Sequence, residues 1–123
     1  MFLLSPQTKV FLAKEPTDMR KSFRSLVAVT EGVLEQEPTS GHLFVFVNAR
    51  RDMMKILHWD GGGFWIWYRQ LERGTFQLPD QQTLNDSAAI EMTPSQLSLI
   101  LDGIDLRSVR QRLRHQPVAV TIK

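Results

Sequence analysis

The chain contains no cysteine, and this absence excludes several kinds of site at once. Disulfides, thiolate zinc ligands and a cysteine nucleophile are all ruled out. No hydrophobic run approaches the roughly eighteen residues that a membrane span needs. The N-terminal segment MFLLSPQTKV lacks the basic region of a signal peptide. We therefore expect a cytoplasmic protein that has no membrane partner.

Side chains arranged for catalysis are also scarce. The three histidines are far apart in sequence, no serine lies in a nucleophile elbow, and the glycine run lacks the lysine of a phosphate loop. The acids best placed to hold a divalent metal lie at predicted strand ends, where solvated carboxylates are also common: Asp52, Asp60 and Glu72. We expect a protein that is not an enzyme, that needs no cofactor and that has no small-molecule substrate.

Hydrophobic periodicity predicts a single α+β domain over residues 1–106. Residues 7–13 alternate as in a strand, and an antiparallel meander is predicted from four later segments: HLFVFV, MMKILHW, FWIWYRQ and TFQL. Apolar residues from Met19 to Leu34 recur at spacings of three and four. This stripe predicts one long helix, capped by Thr17 or Asp18, that packs on one face of the sheet.

The C-terminal part is predicted to add a strand, a short helix and a tail. AAIEM is a candidate for one more strand, and Thr93-Pro94 opens a short C-terminal helix that Gly103 ends. Residues 107–123 are predicted to form a tail or a short helix. This segment is basic, because the chain carries no acid beyond Leu106. Such a tail binds nucleic acid or keeps a protein soluble, and charge alone leaves both open.

Arginine-rich clusters are more informative than the net charge, which is only +2. Arg20, Lys21 and Arg24 fall in the first two turns of the predicted helix. Cations there oppose the helix dipole, but beside free backbone amides they suit a phosphate. Further arginines lie at predicted strand ends: Arg50, Arg51, Arg69 and Arg73. We predict that these seven residues bind nucleic-acid phosphates; strand register decides whether they share one surface.

The segment WDGGGFWIWYR holds all three tryptophans, the only tyrosine and three of the seven glycines. Strand alternation puts Phe64, Ile66 and Tyr68 on one face, beneath the long helix, and Trp65, Trp67 and Arg69 on the other. Three things could cover the second face: the C-terminal helix, a second protomer or stacked bases. The glycines are expected to serve the hairpin turn. We predict that a partner binds at three of the aromatic residues: Trp65, Trp67 and Tyr68.

Three segments together resemble a known family: TDMRKSF, SGHLFVFVNARRDMMKILHWDGGGFWIWYRQLERGTFQLP and MTPSQLSLILDGIDL. They are similar, in order and spacing, to the accessory second-frame protein (TnpB or Orf2) of the insertion sequence sixty-six family of bacterial transposable elements. The resemblance covers residues 5–106. It implies a small protein that is encoded beside a separate transposase and assists transposition. It supplies no catalytic residues.

The chain departs from the family pattern at four positions: Trp65, Gln70, Leu78 and Leu106. The pattern has a smaller residue at position 65, so Trp65 is a weaker candidate for a shared function than Tyr68 or Arg69. Two hypotheses follow. The first is a non-catalytic accessory protein that binds the DNA of element ends, the transposase or both. The alternative is an interaction module that forms a homodimer or docks on the transposase without touching DNA.

Overall fold

Five strands form one sheet in the order β4-β3-β2-β1-β5 in the computed structural model, which describes residues 5–79 and 86–103. The strands are β1 (Val10–Ala13), β2 (Leu43–Val47), β3 (Met53–Trp59), β4 (Phe64–Gln70) and β5 (Ala89–Met92). The helices are α1 (Phe23–Gly32) and α2 (Pro94–Leu101). The α+β class is confirmed, as are the strand at AAIEM and the short helix after Thr93. The tail at 107–123 lies outside the described residues.

The antiparallel meander is confirmed for β2, β3 and β4, but the whole sheet is mixed. β1 lies between β2 and β5 and pairs parallel with β2 and antiparallel with β5. Two parallel neighbours need a crossover connection, and the segment containing α1 supplies it. The strand predicted at TFQL is wrong. Phe76 lies in a loop and buries its ring in the core. Its N–H donates to the carbonyl of Arg51 at 2.7 Å.

The predicted long helix is shorter and starts later, so neither Thr17 nor Asp18 caps it. α1 has ten residues, and its N-cap is Ser22. Thr17 instead donates its N–H to the carbonyl of Val47 at 2.8 Å, which holds the preceding segment on the end of β2. The apolar stripe misled the prediction because Met19 does pack against the core beneath α1, although it lies outside the helix.

Each face of the sheet is covered by one helix. Leu26 of α1 packs with Phe44, Phe46 and Leu57, and Phe64 and Ile66 of β4 lie on this face as predicted. The opposite face carries α2 and the loop residue Phe76, which pack on the side chains of Val10, Leu12, Val45 and Ile56. All five residues of β2 are buried, as expected for a central strand that is covered on both sides.

Lys55 fastens the connection between β1 and α1 to the sheet. Its Nζ donates to the carbonyl of Met19 and to that of Lys21, each at 2.7 Å. The same ammonium lies 5.0 Å from the centroid of the Tyr68 ring, within cation–π range. In an α-helix these two carbonyls would accept from Phe23 and Ser25. Because they face Lys55 instead, the helix begins only at Phe23.

We predict that Lys55→Met destabilises the protein by roughly 2–4 kcal/mol, because two hydrogen bonds from a charged donor are lost while the apolar stem is kept. Urea denaturation measures the loss. Lys9→Met is the matched control, since Lys9 is exposed and only 3.7 Å from the exposed Glu91, a pair worth about 1 kcal/mol at most. Equal stability of the two variants would show that Lys55 does not anchor the connection.

Candidate nucleic-acid interface

β1, β2 and β4 all end at the same end of the sheet, because these strands run in one direction and β3 runs antiparallel to β2 and β4. Three connections therefore meet there. They are the β1–α1 segment (residues 14–22), the β2–β3 turn (48–52) and the loop after β4 (71–74). Backbone hydrogen bonds join the last two, since the N–H of Leu71 donates to the carbonyl of Asp52 at 2.8 Å. Asp18 and Met19 face Arg50 across a small depression. We call these three connections, with the first turn of α1, the basic end.

All seven predicted phosphate-binding residues lie at or beside the basic end. Arg20 and Lys21 are in the β1–α1 segment, and Arg24 is in the first turn of α1. The rest belong to the β2–β3 turn, to the last residues of β4 and to the loop after β4: Arg50, Arg51, Arg69 and Arg73. The structure therefore brings together residues that are as many as 53 positions apart, from Arg20 to Arg73.

Two of these arginines already hold partners within the protein. Arg20 forms a bidentate pair with Asp18, donating from Nε to Oδ1 at 3.1 Å and from Nη2 to Oδ2 at 2.7 Å, and these side-chain hydrogen bonds lower the pKa of Asp18 to about 2. Arg69 donates from Nη1 to the carbonyl of Leu101 at 2.7 Å, which satisfies a terminal carbonyl of α2. Both guanidinium groups are therefore fixed in place.

The other arginines are better placed to meet an outside anion. Within residues 5–79 and 86–103, no ion pair or side-chain hydrogen bond engages their guanidinium groups, and all four residues are exposed: Arg24, Arg50, Arg51 and Arg73. One acid at the same end has a structural role. Asp52 accepts from Nδ2 of Asn48 at 2.7 Å and so stabilises the β2–β3 turn.

The three carboxylates considered for a metal do not meet. Asp52 precedes β3 and Asp60 follows it, so the seven-residue strand between them separates them by about 26 Å. In the described part of the chain, no group of three or more acidic or histidine side chains could hold a metal ion.

The opposite end of the sheet contains a cleft with a volume of about 720 Å³. Its walls come from residues 5–8, residues 39–42 and the β3–β4 hairpin. We call this feature the distal cleft. Trp65 stacks on Trp67 with ring centroids 5.6 Å apart and 18° between the planes. Trp65 is nevertheless 51% exposed.

Asp60 fixes the Trp65 indole at the mouth of the distal cleft. Its Oδ2 accepts from Nε1 of Trp65 at 2.6 Å, and its Oδ1 accepts from the N–H groups of Gly62 and Gly63 at 2.8 and 2.9 Å. These bonds, the one from Gly62 first, lower the pKa of Asp60. Gly61 has φ +101°, a conformation that favours glycine, so the glycines serve the hairpin turn as predicted.

His42 also lines the distal cleft, a role that the sequence analysis did not predict. Its Nδ1 accepts the N–H of Lys9 at 3.0 Å, so the neutral ring carries its proton on Nε2. Burial lowers its pKa, which favours the neutral form. The parallel pairing of β1 with β2 creates this contact, and period-two alternation does not reveal pairing partners. Lys55 did have a signal, since it is a lone charge within an otherwise apolar strand.

The three predicted partner-binding aromatics do not share one surface. Trp65 and Trp67 lie together on the face that α2 covers, and Trp67 packs partly against that core. Tyr68 lies on the opposite face, over Lys55, and is 54% exposed.

Fold and site define a small α+β protein in which the exposed arginines of the described residues lie at one end of one sheet. The chain belongs to the family described as IS66 Orf2 like protein, whose model matches residues 8–111. This membership makes it a transposition-associated accessory protein, and the family is not a known catalytic one. Among the described residues, neither helix is long and apolar enough to cross a membrane.

Two curated relatives from Sinorhizobium fredii (strain NBRC 101917 / NGR234) match most of the chain. The uncharacterized protein y4jC is 30% identical over 91% of this chain and 92% of its own length. The uncharacterized protein y4hO is 36% identical over 86% of this chain and 89% of its own length. No solved structure matches.

We predict that His42 makes stability depend on pH. The unfolded chain takes up a proton near the ordinary histidine pKa of 6.5, whereas the folded chain resists protonation because His42 has a lowered pKa. Stability is therefore complete above about pH 6.5 and declines as the pH falls below it. Thermal unfolding at about pH 7.5 and 5.5 measures the decline. His42→Asn keeps an acceptor but cannot titrate, so the stability of this variant should fall less between the two pH values. An equal fall in the variant and the unmodified protein would contradict the prediction.

Proposed function

We propose that this protein assists transposition by binding the phosphates of element-end DNA with its basic end. The observation that carries the proposal is the convergence of four exposed arginines from separate elements: Arg24, Arg50, Arg51 and Arg73. Guanidinium groups match phosphate geometry and remain charged at every relevant pH. An arrangement without internal acidic partners leaves this charge available to a polyanion.

The first turn of α1 strengthens the basic end. It contains no acidic residue, and the side chain of its N-cap, Ser22, forms no capping hydrogen bond. The partial positive charge of the helix N-terminus therefore adds to the charge of Arg24. Arg20 and Lys21 flank this turn, but Arg20 is neutralised in part by Asp18. We therefore assign Arg20 a smaller share of the binding than Arg24.

The basic sequence of the tail would act in the same direction. The described chain ends at Gly103, two residues beyond Leu101, whose carbonyl Arg69 holds. Residues 107–123 carry four arginines, one histidine and one lysine without an acid. A segment of this composition adds positive charge to the chain and favours a polyanionic partner.

We predict that Arg50→Gln and Arg73→Gln each weaken DNA binding and flatten its salt dependence. Each phosphate contact that is lost should reduce the slope of log K against log salt by about 0.9 for duplex DNA or 0.7 for single strands. Fluorescence polarisation with labelled element-end DNA, over a salt series, measures the slope.

Lys9→Gln is the matched control, because it removes one positive charge from the opposite end of the sheet. It should leave the slope unchanged. The proposal fails if Lys9→Gln acts as strongly as Arg50→Gln, or if the unmodified protein does not bind element-end DNA at low salt.

A second candidate function is docking through β4. Among the described strands, β4 pairs with β3 alone and is one of the two edges of the sheet, β5 being the other. Unpaired edge strands are templates for pairing with another chain, and Tyr68 adds an exposed aromatic ring. This arrangement favours either a β4–β4 homodimer or addition of a strand from the transposase.

For the docking function, we predict a concentration-dependent dimer in analytical ultracentrifugation, or a complex with the transposase. Tyr68→Ser should weaken the association, since it removes exposed apolar surface from the edge strand. Phe23→Ser is the control, because Phe23 is 49% exposed but lies on α1. Association that is absent, or equally sensitive to both substitutions, would argue against docking through β4.

A further inference from the structure

The distal cleft combines a flat aromatic wall with a polar rim. The Trp65 indole is stacked on Trp67 behind it and held by Asp60, so the ring is oriented before any ligand arrives. Half of the Trp65 surface remains in water, so a flat ligand that covered it would gain the free energy of burying that area. The volume of about 720 Å³ is in the range of small-molecule sites.

The rim carries both donors and acceptors. The neutral His42 has a donor at Nε2, and the Asp60 carboxylate has capacity beyond the three bonds that it accepts. Hydroxyl groups of Thr8, Thr39 and Ser40 also line the cleft. The three hydroxyls already bond within the protein, to Ser5, to Glu37 and to the N–H of His42. An aliphatic ligand would cover the Nε2 donor of His42 without offering it an acceptor. A phosphate would meet the negative charge of Asp60. A nucleobase has two flat faces and a rim of donors and acceptors, so it matches both features.

We infer that the distal cleft binds an unpaired base of single-stranded DNA, stacked on Trp65. This inference rests on the proposed function, in which the basic end holds the phosphates. Bases in a duplex already cover both of their faces with neighbours, so only an unpaired base can offer its face to the indole.

The path between the two sites follows β4. Trp65, Trp67 and Arg69 alternate along one face of this strand, so Arg69 lies about 13 Å from Trp65 in the direction of the basic end. A strand whose backbone meets the arginines can therefore run along the edge of the sheet and place one base at Trp65. Cations that track the backbone, combined with aromatic rings that stack bases, are typical of single-strand binding.

The test compares two labelled oligonucleotides of equal length and charge, one with bases throughout and one abasic. The unmodified protein should bind the base-bearing strand more tightly, and Trp65→Ala should weaken that binding by roughly 5- to 150-fold, the range for loss of one stacked base. Trp65→Phe keeps an aromatic face and should retain most of the preference. Val33→Ala, at an exposed apolar residue that caps the C-terminal end of α1, should change nothing. Circular dichroism confirms that each variant is folded.

The outcomes separate this inference from the proposed function. If Trp65→Ala binds the base-bearing strand as well as the unmodified protein does, while Arg50→Gln weakens binding to both oligonucleotides, the base site is wrong and the phosphate site stands. A deoxynucleoside monophosphate that occupies the cleft as tightly as the oligonucleotide would overturn the single-strand assignment. The assignment would also be overturned if Trp65→Ala no longer bound purified transposase but still bound the oligonucleotide as tightly as the unmodified protein does. Absence of binding to either strand at low salt would remove both proposals.

Discussion

The arrangement of the basic end depends on one interaction: the ammonium group of Lys55 donates hydrogen bonds to two backbone carbonyls. A lysine in a central strand next to the core must find acceptors, and it takes them from Met19 and Lys21. Those carbonyls are then turned away from the helix that would otherwise use them. The chain between β1 and α1 therefore stays outside the helix and turns at Met19 and Arg20, where the N–H of Lys21 donates to the carbonyl of Asp18 at 3.1 Å. Asp18 and Met19 lie beside the β2–β3 turn.

This contact also explains which parts of the fold could be predicted from sequence. Strand alternation and the Asp60–Gly63 turn define the β2–β3–β4 meander locally, so its prediction succeeded. The start of α1 depends on a hydrogen bond from Lys55, 34 positions from Lys21 along the chain, which no local pattern contains. The position of β1 between β2 and β5 likewise depends on tertiary pairing. TFQL alternates like a strand, but Phe76 fills the core from a loop.

The candidate sites show the same division between local and distant information. Arginines at turns were identifiable from composition, and their convergence follows from the strand order, which the sequence does not state. Only part of the distal cleft could be identified from sequence. The tryptophans stand out in WDGGGFWIWYR, whereas His42 joins the same cleft only because β1 and β2 pair in parallel. Sequence therefore identified the chemical groups, and the topology of the sheet determined which of them meet.

The two ends of the sheet suit two different components of DNA recognition. Phosphate contacts supply affinity and orientation without reading sequence, whereas contacts with bases distinguish one nucleic acid from another. The basic end draws its charge from several connections, so losing one arginine would remove only part of the proposed phosphate binding. The proposed base site depends on one ring, that of Trp65. A variant that lost this ring would keep its affinity for phosphates and lose only its preference for unpaired bases.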